Sequence, residues 1–294
     1  MMIILNEKKY IKDLLNDDLA MITDKPKQII ELLAIYYHQT NENNIAEKLI
    51  DFLAKRYPKY SENKRYWNDF CKKIITKTKN KKLLESDGIP ITEKEIKKIN
   101  EIDNLPDLTG TERKALQRLL FSIVVLGKYQ NMKSNNYGYI SSKFLQIKTI
   151  DLFKIARVSA NKQERLLLLN QLYNHKFIEF PKSYKDNCRA SFLDDETTTK
   201  MMITDMRELG YQWNSYRGDH FHHCTKCGIM VKTNSGKDGM CSDCAKVANQ
   251  TTAKCEDCGL LFSRIGKKKK RCDLCQNARN LQARLEWQRI KRNA

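Results

Sequence analysis

Eight of the ten cysteines in this chain form four C-x-x-C pairs toward its C-terminal end. They make two groups of four, namely Cys224, Cys227, Cys241 and Cys244, followed by Cys255, Cys258, Cys272 and Cys275. Thirteen residues separate the two pairs of each group, and the second group repeats the first after 31 residues. Both sulfurs of a C-x-x-C pair can reach one ion, and thirteen residues suffice for a hairpin that brings the second pair opposite. The spacing therefore predicts two four-cysteine metal sites.

Zinc is the ion that this ligand set favours. Four thiolates fill a tetrahedral zinc and leave no position for water or substrate, so both sites are predicted to be structural. A glycine follows the first pair of each group, Gly228 and Gly259, where a tight turn must aim backbone N–H groups at sulfur. A thioredoxin-type redox role would need a βαβ context that the pattern lacks. The sequence predicts two structural zinc ions, no catalytic residue and no enzymatic activity.

The overall charge favours a polyanionic partner. The 294 residues include 54 Lys and Arg against 35 Asp and Glu, a formal net charge of +19. Each four-thiolate zinc site carries a net −2, so two filled sites would leave about +15. Such an excess favours a polyanionic partner such as DNA or RNA, of which DNA is taken as the first candidate, although the charge itself does not separate the two. An AT-rich genome also produces scattered lysines, so clustered basic residues are better evidence than the total.

The densest basic cluster lies in the second cysteine group and the tail behind it. From Lys254 to Ala294 there are 12 basic and 4 acidic residues, a net +8 before any metal binds. We expect the hairpin of this module and the predicted tail helix to contact phosphate. The candidate residues are Lys267, Lys268, Lys269, Lys270 and Arg271 in the hairpin, and Arg279, Arg284 and Arg289 in the helix.

A second basic segment, Lys64 to Lys82, holds eight Lys or Arg against one acidic residue, with Tyr66, Trp67 and Phe70 interleaved. It lies within a region of apolar stripes at helical spacing that extends to about Asn104. One interpretation is a solvated helix face whose aromatic residues are in the core. The other is a helix face that contacts phosphate. The sequence leaves both open.

The middle of the chain has a different pattern. Thr109 and Glu112 form a capping box before an apolar helical stripe, and a loop is predicted from Gly127 to Gly138. A short helix is then predicted from Ile150 to Arg157, and a longer helix is capped by Asn161 and Glu164.

The segment Phe177 to Phe180 follows that longer helix and alternates like a strand. Helix, turn, helix and strand in this order are typical of a winged helix-turn-helix, whose second helix enters the major groove. Lys162, Gln163 and Arg165 are the groove-facing candidates. The alternative is a packed helical hairpin whose polar residues face water.

Beyond this region, Ala190 to Leu193 and Thr197 to Thr204 alternate as two strands of a predicted hairpin. Asp194, Asp195 and Glu196 lie between them and are interpreted as a solvated turn, because no second acidic cluster accompanies them to hold a divalent metal.

These patterns together predict a mainly α fold with small β elements. The expected order is a helical domain over 1–104, a winged helix-turn-helix-like domain over 105–182, a β-hairpin and connector over 183–216, a zinc module over 217–250, and a zinc module with a basic helical tail over 251–294. No run approaches the roughly 18 apolar residues of a membrane span, and the N-terminal apolar run is too short for a secretory signal. We therefore expect a cytoplasmic protein with no membrane partner.

The order of several short segments resembles a known group of proteins. These segments are Thr92 to Ile96, Leu126 to Tyr129, Asp151 to Val158, Met206 to Trp213 and Cys224-x-x-Cys-Gly. From about Ile91 to Gln250 the chain is similar to an uncharacterised family of phage, prophage and mobile-element proteins of Gram-positive bacteria. The resemblance implies a phage-type context in a bacterial cell and a DNA-binding role, and it leaves the second zinc module outside.

The leading hypothesis is therefore a DNA-binding zinc protein that acts in regulation or replication of a phage or mobile element. A different class remains open, a protein-binding adaptor or inhibitor of a host machine such as RNA polymerase or a defence complex. A nuclease or primase role lacks an acidic or nucleophilic constellation.

Overall fold

The computed structural model describes most of the chain, namely residues 3–17, 21–22, 25–137, 144–145, 147–181, 187–232, 239–248, 250–265 and 269–293. Two compact units are present, Met1–Asp219 and His220–Ala294. The protein is mainly α-helical with small two-stranded antiparallel sheets, which confirms the predicted fold class at this level.

The first unit begins with a bundle of four helices. They are α1 (Glu7–Asn16), α2 (Pro26–Gln39), α3 (Ile45–Arg56) and α4 (Lys64–Thr78), with a 3-10 turn at Ser61–Asn63 before α4. Side-chain caps begin α1 and α4, where Asn6 accepts a hydrogen bond from the N–H of Lys9 and Asn63 accepts one from that of Tyr66. Apolar residues at helical spacing then fill a core that includes Leu33, Leu53 and Trp67.

A second core begins immediately after this bundle. Its first elements are strand β1 (Ile89–Thr92), helix α5 (Glu93–Asn100), a 3-10 turn at Glu101–Asn104 and the long helix α6 (Gly110–Tyr137). Both helices begin with capping boxes, formed by Thr92 with Glu95 and by the predicted pair Thr109 and Glu112. Most of the residues from Leu116 to Tyr129 on α6 are buried, so this helix forms the centre of the second core.

Helix α6 does not end where the sequence predicted. A loop was predicted from Gly127 to Gly138, but α6 continues through Tyr137, so this prediction is wrong for residues 127–137. Gly138 lies outside the described residues. Tyr129 and Tyr137 are buried, so apolar contacts stabilise the last turns. A β-carbon at Gly127 would lie 3.2 Å from Leu193 Cδ1, so this glycine permits close packing and does not break the helix.

The predicted order of helix, turn, helix and strand is present after α6. Helix α7 covers Thr149–Ile155, α8 covers Lys162–Asn174, and β2 (Ile178–Glu179) pairs antiparallel with β3 (Arg189–Ala190). The capping box of Asn161 and Glu164 at the start of α8 is confirmed. Leu169 and Leu172 of α8 are buried in the second core together with Ile178.

The hairpin predicted around residues 190–204 does not form. β3 pairs with β2, whereas β4 (Thr199–Ile203) pairs antiparallel with β1, a strand far earlier in the chain, with Ile89 opposite Ile203. Ile89, Ile91 and Ile203 are all fully buried, so joining β4 to β1 places three isoleucines in one core. A local hairpin would not bury them together. Helix α9 (Leu209–Tyr216) completes the first unit and packs Trp213 against Phe121 of α6.

The acidic triplet between β3 and β4 is only partly solvated, which corrects its interpretation as a solvated turn. Asp194 is buried, and its carboxylate accepts hydrogen bonds from the N–H and hydroxyl of Thr197. Buried Lys128 of α6 lies 3.2 Å from Glu95, 3.0 Å from Asp195 and 2.6 Å from the carbonyl oxygen of Asp194. Lys128, Glu95 and Asp194 form a buried ionic network, which exposed Asp195 joins at its edge and which the sequence pattern did not reveal.

The second unit repeats one small arrangement twice. Its elements are β5 (Phe221–His223), β6 (Met230–Lys232), α10 (Ser242–Ala248), β7 (Gln250–Lys254), β8 (Leu261–Ile265) and α11 (Asp273–Asn293). In each repeat an antiparallel pair of strands precedes a helix, and one C-x-x-C pair lies in the turn between the strands. The other pair lies at the start of the helix.

Candidate metal centres

The first four cysteines converge because a turn and a helix start face each other. Cys224 and Cys227 lie in the turn after β5, where the N–H of Cys224 donates to the carbonyl oxygen of Ile229 and that of Gly228 donates to the carbonyl oxygen of Cys224. Gly228 has a φ of 69°, a conformation that costs glycine little, as its position after the pair predicted. Cys241 precedes α10 and Cys244 lies in its first turn.

The second group has the same construction. The N–H of Cys255 donates to the oxygen of Leu260, and that of Gly259, with a φ of 71°, donates to the oxygen of Cys255. Cys272 precedes α11 and Cys275 lies in its first turn. The 31-residue repeat in sequence is therefore also a repeat in local geometry.

The sulfur positions fit a tetrahedral ion. Within each group all four Sγ atoms lie within 4.8 Å of one another. The Sγ atoms of Cys227 and Cys241 are 3.7 Å apart, and those of Cys258 and Cys272 are also 3.7 Å apart. A regular tetrahedron with Zn–S bonds of about 2.3 Å has edges of about 3.8 Å. Both groups therefore fit a zinc ion, and the predicted ligands are brought together in the predicted sets.

Backbone N–H groups stabilise the thiolate form of one cysteine in each group. The N–H of Cys241 donates to Sγ of Cys224 at 3.2 Å. This hydrogen bond, together with those from the N–H groups of Cys227 and Lys226, lowers the pKa of Cys224 to about 6. The N–H groups of Cys272 and Cys258 likewise lower the pKa of Cys255 to about 6. Contacts with the neighbouring thiols of Cys227 and Cys241 raise the pKa of Cys244 to about 12. A divalent cation would offset the repulsion that opposes four thiolates in one group.

One histidine supports the first turn. Nδ1 of His223 lies 2.9 Å from the carbonyl oxygen of Gly228, within hydrogen-bonding distance. This contact fixes the backbone beside the first C-x-x-C pair, in the way that groups around a metal site orient its ligands.

Several of the predicted phosphate-contacting residues of the second module have acidic partners within it. The pairs join Lys269 to Asp273 at 2.7 Å, Lys270 to Glu256 at 3.3 Å, Arg271 to Asp257 at 2.9 Å and Arg279 to Asp257 at 3.2 Å. These ion pairs reduce the local charge available for a ligand. Lys267 and Lys268 lie outside the described residues.

Helix α11 presents arginines and apolar side chains together. Arg284 and Arg289 are exposed. Large apolar side chains on the same helix are also mostly exposed, including Leu281 at 58%, Trp287 at 61% and Ile290 at 64%. The arginines were predicted from the sequence, whereas the exposed apolar residues were not. The spacing of Leu274, Leu281 and Leu285, seven and four residues apart, was the available signal.

The candidate groove-facing residues lie in the first turn of α8. Lys162 and Gln163 are exposed, whereas Arg165 is half-buried and its Nε donates to the carbonyl oxygen of Asn161 at 3.2 Å. Leu166 and Leu167, the residues that follow, are exposed at 45% and 63%. The turn presents polar side chains at its beginning and apolar side chains immediately behind them.

Comparison of the chain with protein-family models, with curated proteins and with solved structures gives no match. Within the described ranges, no helix combines the length and apolar character needed to cross a bilayer.

Proposed function

We propose that the protein is a nucleic-acid-binding zinc protein, with duplex DNA as its main partner and RNA as the second choice, acting in regulation or replication of a phage or mobile element. The observation that carries this proposal is the second four-cysteine group, whose Cys275 lies in the first turn of α11, the helix that carries exposed Arg284 and Arg289. Zinc bound there would fix the start of the helix, and the helix would present its arginines to phosphate.

The order α7, turn, α8 and β2 supports a winged helix-turn-helix as the part that recognises sequence. The N-terminal residues of a recognition helix contact base edges, which assigns Lys162 and Gln163 to the major groove. Arg165 contacts Asn161 through Nε only, so its terminal guanidinium nitrogens would remain as donors to a base or phosphate. The proposal includes no catalytic role, because four thiolates leave zinc no open position.

The salt dependence of duplex binding tests the predicted interaction of α11 with phosphate. Replacing Arg284 and Arg289 by serine removes two positive charges, and each arginine that no longer meets a phosphate flattens the slope of log K against log salt by about 0.9. We expect a change of about 2 units in that slope, measured by fluorescence anisotropy on a random duplex. Lys55→Ser with Lys59→Ser, an equal charge change at exposed positions of the first unit, is the control and should leave the slope nearly unchanged. An equal change in both variants would contradict the assignment.

Selection of bound sequences from a random duplex library tests the recognition helix. Gln163→Ala should flatten the preference at one or two base positions by about 1–3 kcal/mol, because a bidentate base contact contributes that much discrimination. An unchanged motif in this variant and in Lys162→Ala would show that α8 does not read the groove.

A second candidate function is favoured by the exposed apolar residues of α11. Exposed apolar surface beside polar residues often marks a protein-binding site, which fits an adaptor or inhibitor of a host machine such as RNA polymerase or a defence complex. Capture of partners from host lysate with and without nuclease separates the two candidates. Partners that stay bound after nuclease treatment, and that Trp287→Ala no longer captures, would favour the adaptor.

A further inference from the structure

A cleft of about 700 Å³ in the first unit lies apart from α8 and uses neither cysteine group. Residues of α2, α4 and α6 line it, together with Lys81, which follows α4. Four of the lining side chains are lysines, namely Lys27, Lys77, Lys81 and Lys133. The volume is in the range of sites that hold small ligands. Glu31 also lines the cleft, so the lining is mainly and not wholly cationic. A concave surface with an excess of one sign of charge concentrates the field that attracts an opposite charge.

Only half of these lysines have an acidic partner. Nζ of Lys81 lies 2.7 Å from Glu31, and Nζ of Lys133 lies 2.9 Å from buried Glu7. Lys27 and Lys77 make no ion pair with any residue that the structure describes. The cleft therefore has two ammonium groups in excess of its carboxylates.

An aromatic ring and two carboxylates hold the ammonium groups of Lys81 and Lys133 in place. Nζ of Lys81 and Nζ of Lys133 lie 4.8 Å and 5.0 Å from the centroid of the Tyr137 ring. Burial by itself would lower the pKa of Lys133, but nearby Tyr129 and Glu7 outweigh it, so the pKa is raised and the group stays charged. Side chains that are positioned before binding lose little conformational entropy when a ligand arrives.

Aromatic side chains of α4 extend from this cleft toward solvent. The rings of Tyr66 and Phe70 are nearly parallel, with centroids 6.4 Å apart and planes 14° apart. Lys27 places its ammonium group 5.2 Å from the centroid of the Tyr66 ring. Phe70 lines the cleft, and Tyr66 is 39% exposed. Ammonium groups beside accessible aromatic faces are the combination that proteins use to bind nucleotides of single strands, through phosphate contacts and base stacking.

We propose that this cleft binds the phosphate group of a nucleotide, either free or as part of a single strand. Two ammonium groups in excess match one dianionic phosphate monoester or two successive phosphodiesters. The Lys64 to Lys82 segment then contains both predicted kinds of position, namely a solvated helix face with aromatic residues in the core and a face that contacts phosphate. Trp67 is in the core. Lys77, Arg65 and Lys72 are all exposed, but of these three only Lys77 is among the described residues that line the cleft.

The test uses the zinc-loaded full chain with three probes, namely inorganic phosphate, thymidine monophosphate and a fluorescein-labelled hexathymidylate. Lys27→Glu with Lys77→Glu is compared with Arg65→Glu and Lys72→Glu, a matched pair that makes the same charge change outside the cleft. The cleft variant should weaken binding of the strongest-binding probe about tenfold or more, because neither ammonium group remains to donate a charge-assisted hydrogen bond to phosphate. The matched pair should weaken it less than about threefold, because Arg65 and Lys72 are not among the lining residues and solvent screens charges that do not contact the ligand.

The probes also identify the source of the phosphate. Binding of the monophosphate about as tight as that of the oligonucleotide would make this a site for free nucleotides, and binding of the oligonucleotide alone would make it a site for a strand. Lys27→Arg with Lys77→Arg keeps both charges and should retain binding. Equal weakening by the cleft variant and the matched pair, or no binding of any probe by the unmodified chain, would overturn the proposal.

Binding in the cleft does not depend on the proposed function. If duplex DNA fails to bind while the probes bind in the cleft, only the proposed function fails. If duplex DNA binds through α8 and α11 while the probes do not bind, only the cleft proposal fails.

Discussion

The two units of this protein are stabilised in different ways. The first unit, Met1–Asp219, has two cores in which residues such as Leu33, Leu120 and Trp213 are almost completely buried. Among the described residues of the second unit, His220–Ala294, the buried apolar side chains are Cys224 and Cys255, both thiols of the four-cysteine groups. The hydrophobic effect is the dominant favourable contribution to folding in an ordinary domain. The second unit has little of it, so bound metal is expected to take its place.

The largest expected effect is therefore that of removing metal. Apparent zinc binding contributes on the order of 10 kcal/mol to the folding of small four-ligand units. We expect a strong chelator to unfold the second unit and leave the first intact, as measured by limited proteolysis with mass spectrometry of the fragments. Elemental analysis of protein purified under reducing conditions should find two zinc ions per chain.

Single substitutions sharpen this prediction. Cys224→Ser should remove one ion of two, whereas Cys71→Ala, which changes a buried cysteine of the first unit, should keep both. If the second unit still resisted proteolysis after chelation, the claim that bound metal stabilises it in place of a hydrophobic core would be wrong.

The next largest effect is expected from the buried ionic network of the first unit. Lys128→Ala leaves the fully buried carboxylate of Glu95 without its ammonium partner, and breaking such a pair typically costs about 3–5 kcal/mol. Urea denaturation of the first unit measures this decrease in stability. Lys97→Ala is the control, since Lys97 pairs with Glu93 at an exposed position and should matter by less than about 1 kcal/mol. The zinc content should be unchanged in both variants.

The smallest effect is expected at the cap of α8. The side chain of Asn161 accepts hydrogen bonds from the N–H groups of Gln163 and Glu164, and loss of such a cap costs about 1 kcal/mol. Asn161→Ala should lower the free energy of unfolding of the first unit by that amount, measured by urea denaturation, and Asn161→Asp should restore it. A cost equal to that of Lys128→Ala would mean that α8 begins in a different way.

Local features were predictable from sequence because they depend on residues close together in the chain. The capping box depends on Asn161 and Glu164, three positions apart, and the first C-x-x-C pair of each group lies within one turn together with the glycine that follows it. The pairing of β1 with β4 was not predictable in this way. Alternation identifies a strand but not its partner, and the choice of β1 depends on burying Ile89 beside Ile203 across the chain.

The same limit explains the errors around α6 and the acidic triplet. Gly127 is a weak helix former by itself, but close packing against Leu193 requires a small residue there. Asp194 was interpreted as solvated because its partners, Glu95 and Lys128, are far away in sequence. The position of the four-lysine cleft was hidden for the same reason, since its lysines come from three separate helices and the segment after α4.

Helix α6 has a consequence for the way the first unit opens. Its 28 residues span about 42 Å at about 1.5 Å per residue, and its residues belong to both cores, with Leu120 in one and Tyr137 in the other. The hydroxyl of Tyr137 also donates to Glu7 of α1, which ties the first helix of the chain to the last turn of α6. Neither core can lose its packing without exposing part of this helix. Amide hydrogens in the two cores should therefore exchange with solvent in one cooperative step, although their side chains form two separate clusters.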